Sequence, residues 1–344
     1  MAKEYVRIKL FELSDITRIE DLPPILELNY NKELTYLEGF NLSPRDKTLI
    51  NKWRKEGNTF NVCSYQENTD IPEIKYIVCN AFMETSISRA QSIIDGTVLP
   101  RDNRVNAAEY PAIFFEKDRK VYCAIRCSAH LDTKLKSVLM GGGRGQDELN
   151  ERWGKVKIDD IFQYKFTSDF YYWMFANISN SYSYHNKLIC INDAKYINNI
   201  SDRGESSYSS KGPALQQDII PKTGLGTAAI VDSLGVAIEV EDEANLEIRL
   251  ENNGVCYINK NLSSVIKNGK VEMVDDYWTE IILKVYCEII PGLASGFNED
   301  IRTDKWNIGV QNQYMCQWAL EVIEDLCIQN RIDIEQIKSL KYFK

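Results

Sequence analysis

The chain has 344 residues, of which 44% are apolar, 26% charged and 11% aromatic, and its formal net charge is −9. These proportions belong to a globular protein with ample surface to bury, and at this length one core gives way to two lobes. The negative balance excludes a protein that coats nucleic acid nonspecifically, because that binding is carried by clustered Lys and Arg; it leaves room only for a local groove.

The longest apolar stretches, such as 281–290, are broken by Lys284 and Glu288, and none reaches the roughly 20 residues of a membrane helix. The opening segment from Met1 to Val6 has no apolar signal core, and no lipidation motif is present. No membrane insertion and a cytoplasmic location are therefore expected. The nine cysteines are odd in number and widely spaced, which points to reduced, buried thiols. Cys123 and Cys127 share one strand face about 13 Å apart, too far to share a metal.

In chain order, Tyr5 to Phe11 reads as a strand. Ser43 as N-cap, Pro44 at the first helical position, Leu49, Ile50 and Trp53 on one face and Gly57 as stop predict a helix. Two extended runs follow, 59–65 and 73–82, and then a helix over 86–94. A hairpin joins 112–115 to 121–125 through Lys117-Asp118-Arg119. Leu131, Leu135, Val138 and Leu139 have helical spacing, and the run Gly141 to Gly145 ends that helix.

The most aromatic stretch, Phe162 to Phe175, reads as a helix packed into the core. Residues 198–212 have the Ser, Asn, Asp and Gly content of a surface loop. Leu246, Ile248 and Leu250 alternate with polar residues before Asn253-Gly254, which predicts a hairpin with a solvent-facing polar side. One C-terminal helix, marked by Tyr277 to Ile289, is expected to end at Pro291-Gly292, and a second is marked by Tyr314 to Leu326. The fold class expected is α+β, with mixed or antiparallel sheets in two lobes, 1–140 and 141–344, and a helical C-terminal region.

Three constellations could carry chemistry. Glu73-Ile74-Lys75 has the E-x-K form of metal-dependent nucleases, in which carboxylates hold a divalent cation beside the scissile phosphate and a lysine stands near the attacking water; Asp70 lies just before it. The loop Gly141, Gly142, Gly143, Arg144 and Gly145 could offer backbone amides and a guanidinium to an anion, although it follows a helix where a dinucleotide-binding loop follows a strand. Glu239 and Glu241, in a cluster with Asp242 and Glu243, would share a strand face and could bind metal, or simply face water. With only His130 and His185 available, zinc chemistry has few places to form, and no nucleophile elbow or Walker motif occurs.

The absence of a catalytic motif and the wealth of Tyr, Trp and Phe favour a binding or assembly subunit whose partner is another protein or a second copy. The alternatives are a metal-dependent nucleic-acid-cleaving enzyme, the one reading that needs a divalent metal, with Glu73 and Lys75 as catalytic residues, and a nucleotide or anion sensor built on Arg144.

Overall fold

The computed structural model describes residues 4–66, 72–143, 147–200 and 207–338. The protein is α+β: its strand pairs are antiparallel, and helices dominate the C-terminal region. It divides into two compact units, Arg7–Phe162 and a second formed by Met1–Val6 with Gln163–Lys344. The first unit runs through Phe162, and Leu149, Trp153 and Val156 belong to its core.

In the first unit β1 (Tyr5–Leu13), β2 (Asn51–Lys55), β3 (Ile74–Ser86), β4 (Val105–Lys117) and β5 (Lys120–Arg126) form an antiparallel sheet in the order β1-β5-β4-β3-β2. The β4–β5 hairpin closes at Asp118 and Arg119, both with positive φ, as a two-residue turn matched to strand twist requires. Helices α1 (Asp132–Leu139) and α2 (Asp147–Trp153) complete the unit. Trp53, Phe114 and Trp153 meet in the core with ring centroids 5.0 to 6.2 Å apart. Both indoles are satisfied, Trp53 donating to the Leu139 carbonyl at 3.1 Å and Trp153 to the Tyr30 hydroxyl at 3.0 Å.

The helix expected from Ser43 onward is a single turn, Pro44–Lys47, after which the chain turns into strand. The cap is real, Ser43 accepting from the Asp46 amide at 3.2 Å, but Trp53 pairs with Ala81 in the sheet and buries its ring there. Tertiary packing outweighs the helical spacing. The helix expected over 86–94 is likewise one turn, Arg89–Ser92.

A third such turn, Arg101–Arg104, completes a satellite held by Glu84. This buried carboxylate accepts from Arg45 at 2.7 and 3.1 Å, from the Ile50 amide at 2.6 Å and from Arg101. Burial opposes its charge, yet the hydrogen bonds from Arg45 and Ile50 and the field of Arg101 hold it below the usual carboxylate range.

The second unit opens with α3 (Ser168–Ala176), whose residues Phe170 to Phe175 are all buried, as expected of a core helix. Strands β6 (Ser181–Tyr184), β7 (Lys187–Ile200) and β8 (Ser207–Lys211) follow, then α4 (Ile219–Gly226), and β9 (Ile230–Val240), β10 (Ala244–Glu251) and β11 (Val255–Asn259) continue the sheet. Its order is β6-β7-β9-β10-β11, with β8 also paired to β7. The surface loop expected over 198–212 is thus largely strand, since Ile200 pairs with Ser207 and Tyr196 with Lys211; residues 201–206 lie outside the described residues.

Asn253 and Gly254, with φ of 69° and 68°, close the β10–β11 hairpin as expected. Its polar side does not simply meet solvent: Glu247 is buried, accepting from Tyr5 and, at 2.9 Å, from Asn259, while the Arg249 guanidinium lies between the rings of Tyr196 and Tyr257. The helix expected to stop at Pro291 runs on. Helix α5 (Trp278–Lys284) passes through a wide π turn, Val285–Ile289, into α6 (Ile290–Arg302). A proline in a regular helix lacks the amide for the carbonyl four residues back and collides with it. The π turn, in which the Ile290 amide reaches back to Val285, absorbs that mismatch just before Pro291. Helix α7 (Ile308–Asn330) follows, capped by Asn307.

Replacing Glu84 with Ala leaves Arg45 and Arg101 without their common acceptor, and should cost about 2–3 kcal/mol at neutral pH, less than a fully buried pair because Arg45 reaches water. Because the folded-state pKa of Glu84 is lowered, its contribution is complete above the ordinary carboxylate pKa and disappears as pH falls through the folded value. Urea unfolding of wild type and Glu84→Ala should therefore show curves that converge in acid.

Candidate ligand-binding site

The residues of the E-x-K motif are separated in role. Glu73 is exposed and precedes β3, whereas Lys75 on β3 donates to Glu20 at 2.5 Å, a bond that raises the lysine's pKa above its ordinary value. Glu116 also lies in the field of Lys75 and accepts from the Ile19 amide at 2.9 Å. Asp70 lies outside the described residues.

In the glycine run, Gly141 and Gly142 have positive φ and follow α1, as expected. Their surroundings are internal: the Gly142 amide donates to Asn150 Oδ1, and Asn150 Nδ2 donates to the Gly143 carbonyl at 3.2 Å. This loop closes on α2. Arg144 and Gly145 lie outside the described residues.

Glu239 is exposed near the end of β9, accepting from Asn192 at 3.0 Å, while Glu241 stands in the turn beyond the strand and not on its face. Among the described residues no three His, Cys, Asp or Glu side chains are grouped to hold a metal ion. The neighbouring Glu243 points to another arrangement. It accepts from Lys187 and, at 2.6 Å, from Lys284, and Lys187 also donates to Glu288 at 3.0 Å. Lys284 is fully buried, Lys187 and Glu288 nearly so.

This quartet anchors one side of the long helix. Along that helix Lys284, Glu288, Gly292, Gly296 and Asp300 recur at every fourth position. A side chain at Gly292 would lie 2.4 Å from the Ile189 methyl and one at Gly296 would lie 2.5 Å from the Tyr182 ring, so the two glycines let the helix lie directly on the β6–β7 hairpin. The hairpin itself turns at His185 and Asn186, both with positive φ, and pairs Tyr182 with Ile189 and Tyr184 with Lys187.

One turn beyond Gly296, Asp300 reaches a cavity of about 300 Å³ lined by Asn177, Asn180, Ser181, Tyr182, Asp300, Lys305, Trp306 and Tyr314. The Trp173 indole donates to Asp300 Oδ2 at 2.9 Å, and the Trp306 indole to Asp169 at 2.8 Å. The Tyr182 ring sits 4.9 Å from Trp173, and Tyr314 lies 5.9 Å from Trp306 and 5.6 Å from Trp318. Asn180 donates to Asn177 at 2.7 Å, and Asn177 in turn to the Trp173 carbonyl at 2.9 Å. Burial, and then the nearby Asp300 carboxylate, push the Tyr182 phenol well up, against the hydrogen bond from Asn180. Tyr182 therefore stays a neutral ring beside a carboxylate.

The site thus combines aromatic surface, one carboxylate held in place by an indole, an exposed lysine at the rim, and neutral amides and a hydroxyl. Sequence reasoning missed it because its residues come from separate places in the chain, 177–182, 300–306 and Tyr314. The four-residue period of charged and small residues from Lys284 to Asp300 was the readable signal, and it marks the packing face of the helix.

Replacing Lys284 with Met should cost about 3–5 kcal/mol in chemical denaturation, because Glu243 and Glu288 lose a partner inside the protein. Adding Glu288→Leu should recover part of that loss, since both members of the pair are then apolar. A double variant as destabilised as the sum of the singles would show that the two side chains are not coupled. No family model matches this sequence, and no curated protein is similar to it.

Proposed function

We propose that this chain is a binding protein without catalytic chemistry of its own, and that its second unit takes a small zwitterionic amine in the cavity beside Asp300. The observation that carries this reading is the joining of Asp300, Lys305 and the rings of Tyr182, Trp306 and Tyr314 around one cavity. Aromatic faces attract an organic ammonium through their quadrupoles, and a carboxylate adds direct charge; together they discriminate for a cation. The Lys305 ammonium at the rim complements an anionic group on the same molecule, and the Asn177, Asn180 and Ser181 side chains supply neutral polar partners. A volume of about 300 Å³ stands at the small end of ligand pockets and suits a molecule of amino-acid size.

The reading extends the expectation of a binding subunit and gives it a ligand. A nuclease on Glu73 and Lys75 draws no support from the pairing of Lys75 with Glu20, and an anion sensor on the glycine run none from the amide already donated to Asn150.

Calorimetric titration with glycine betaine, choline and acetate tests it. Betaine should bind more tightly than choline, and acetate should show no heat. Asp300→Asn keeps an acceptor for Trp173 but removes the charge, and should weaken both betaine and choline about tenfold or more, while Lys305→Met should weaken betaine alone. Absence of heat with all three probes, or betaine affinity indifferent to Asp300→Asn, would sink the proposal.

A further inference from the structure

The groups around the cavity beside Asp300 differ in the hydrogen-bonding capacity they have left. Trp306 is buried, and Tyr182, Asp300 and Tyr314 are half-buried; these form the inner wall. Asn180, Ser181 and Lys305 are exposed and form the mouth. At the mouth the Ser181 hydroxyl lies 2.9 Å from Cys190 Sγ. Asn180 donates to Asn177 at 2.7 Å and also hydrogen-bonds the Tyr182 phenol, and Asn177 donates its own amide to the Trp173 carbonyl at 2.9 Å. On the inner wall the Trp306 N–H goes to Asp169, which is not part of the lining, at 2.8 Å. Asp300 Oδ2 accepts from the Trp173 indole at 2.9 Å. Among the described residues, the inner-wall acceptors with no bond inside the protein are Asp300 Oδ1 and the Tyr314 hydroxyl.

We infer that the ligand's cationic end is a fully N-methylated ammonium, and that the site ranks small zwitterions by their degree of N-methylation. This rests on the reading of the cavity as a site for a zwitterionic amine, and names the class within it. A primary ammonium brings three N–H donors that lose their water on entry, and each donor left without an acceptor is costly. Its three N–H bonds diverge, so one carboxylate oxygen and one hydroxyl leave a donor unmet. A trimethylammonium group brings no donor at all, and Asp300 acts on it through charge alone.

The rings of the inner wall suit such a group. Tyr182 stands 4.9 Å from Trp173, and Tyr314 stands 5.9 Å from Trp306, so each ring is held by an indole neighbour. With its N–H committed to Asp169, Trp306 has no donor to turn toward a cation, and what remains is its ring. The charge of a quaternary ammonium is spread over weakly hydrated methyl groups, which aromatic side chains attract through their quadrupoles. The exposed Lys305 at the mouth then meets the carboxylate at the other end of the same molecule.

Calorimetric titration of the full chain with glycine, N-methylglycine, N,N-dimethylglycine and glycine betaine tests this. All four carry the same carboxylate, so only the ammonium varies. Affinity should rise along the series, betaine exceeding glycine about tenfold or more. Glycine binding as tightly as betaine would overturn the ranking by methylation while leaving the zwitterion site standing; no heat with any of the four would remove the site itself. Tyr314→Phe deletes the hydroxyl acceptor and keeps the ring, and should widen the betaine-to-glycine affinity ratio. Tyr314→Leu deletes the ring as well, so its ratio should fall about threefold or more below that of Tyr314→Phe. A ratio lowered by Tyr314→Phe, or equal in the two variants, overturns the proposal.

Discussion

Two lysines and two glutamates are closed together in the second unit, where β7 begins and α5 gives way to the π turn. Removing a charged side chain from water is costly unless its partners are close and oriented. Here Lys187 and Lys284 share the carboxylates of Glu243 and Glu288 at 2.6 to 3.5 Å. The arrangement works as a register device. Lys187 comes from the hairpin, Glu243 from the turn between β9 and β10, and Lys284 and Glu288 from the helix, so a shift of any element by one residue would strand a buried charge. Apolar packing alone tolerates such shifts far more readily.

From that fixed point the rest of the site follows by helical geometry. Gly292 and Gly296 let α6 approach the hairpin until Tyr184, Ile189 and Tyr182 touch its backbone. The next residue on that face is Asp300, whose carboxylate is then set by the Trp173 indole. Pro291 would end or kink a regular helix between the anchor and the glycines; the π turn is what allows one continuous element to carry both.

Much of the architecture was legible in the sequence because it rests on local chemistry. The Asn253-Gly254 and Lys117-Asp118-Arg119 hairpins, the aromatic core helix and the end of α1 at Gly141 each follow from a turn residue or a period that tertiary contacts had no cause to override. Where the reading failed, a distant partner decided. Ser43 and Pro44 do start a helix, but Trp53 is worth more in the core with Phe114 and Trp153 than on a helix face. The polar stretch after Asn198 is strand because β8 pairs with β7, a contact that composition does not express. Lys284 and Glu288 were read as interruptions of an apolar run, whereas they are the buried pair that the run exists to surround.

The aromatic residues illustrate the same limit from the side of function. Their abundance pointed to an interaction surface, yet Phe170 to Phe175, Trp153 and Tyr286 are interior. The large apolar side chains left in water on α7 are aliphatic: Ile308, Leu320, Ile323, Leu326 and Ile328. Composition counts residues without regard to the side of an element on which they fall. A buried tryptophan such as Trp173 fixes the Asp300 carboxylate from inside, while a leucine such as Leu320 stands in water. What sets the cavity beside Asp300 apart is therefore the convergence of a held carboxylate, a lysine and ring faces, which composition does not express.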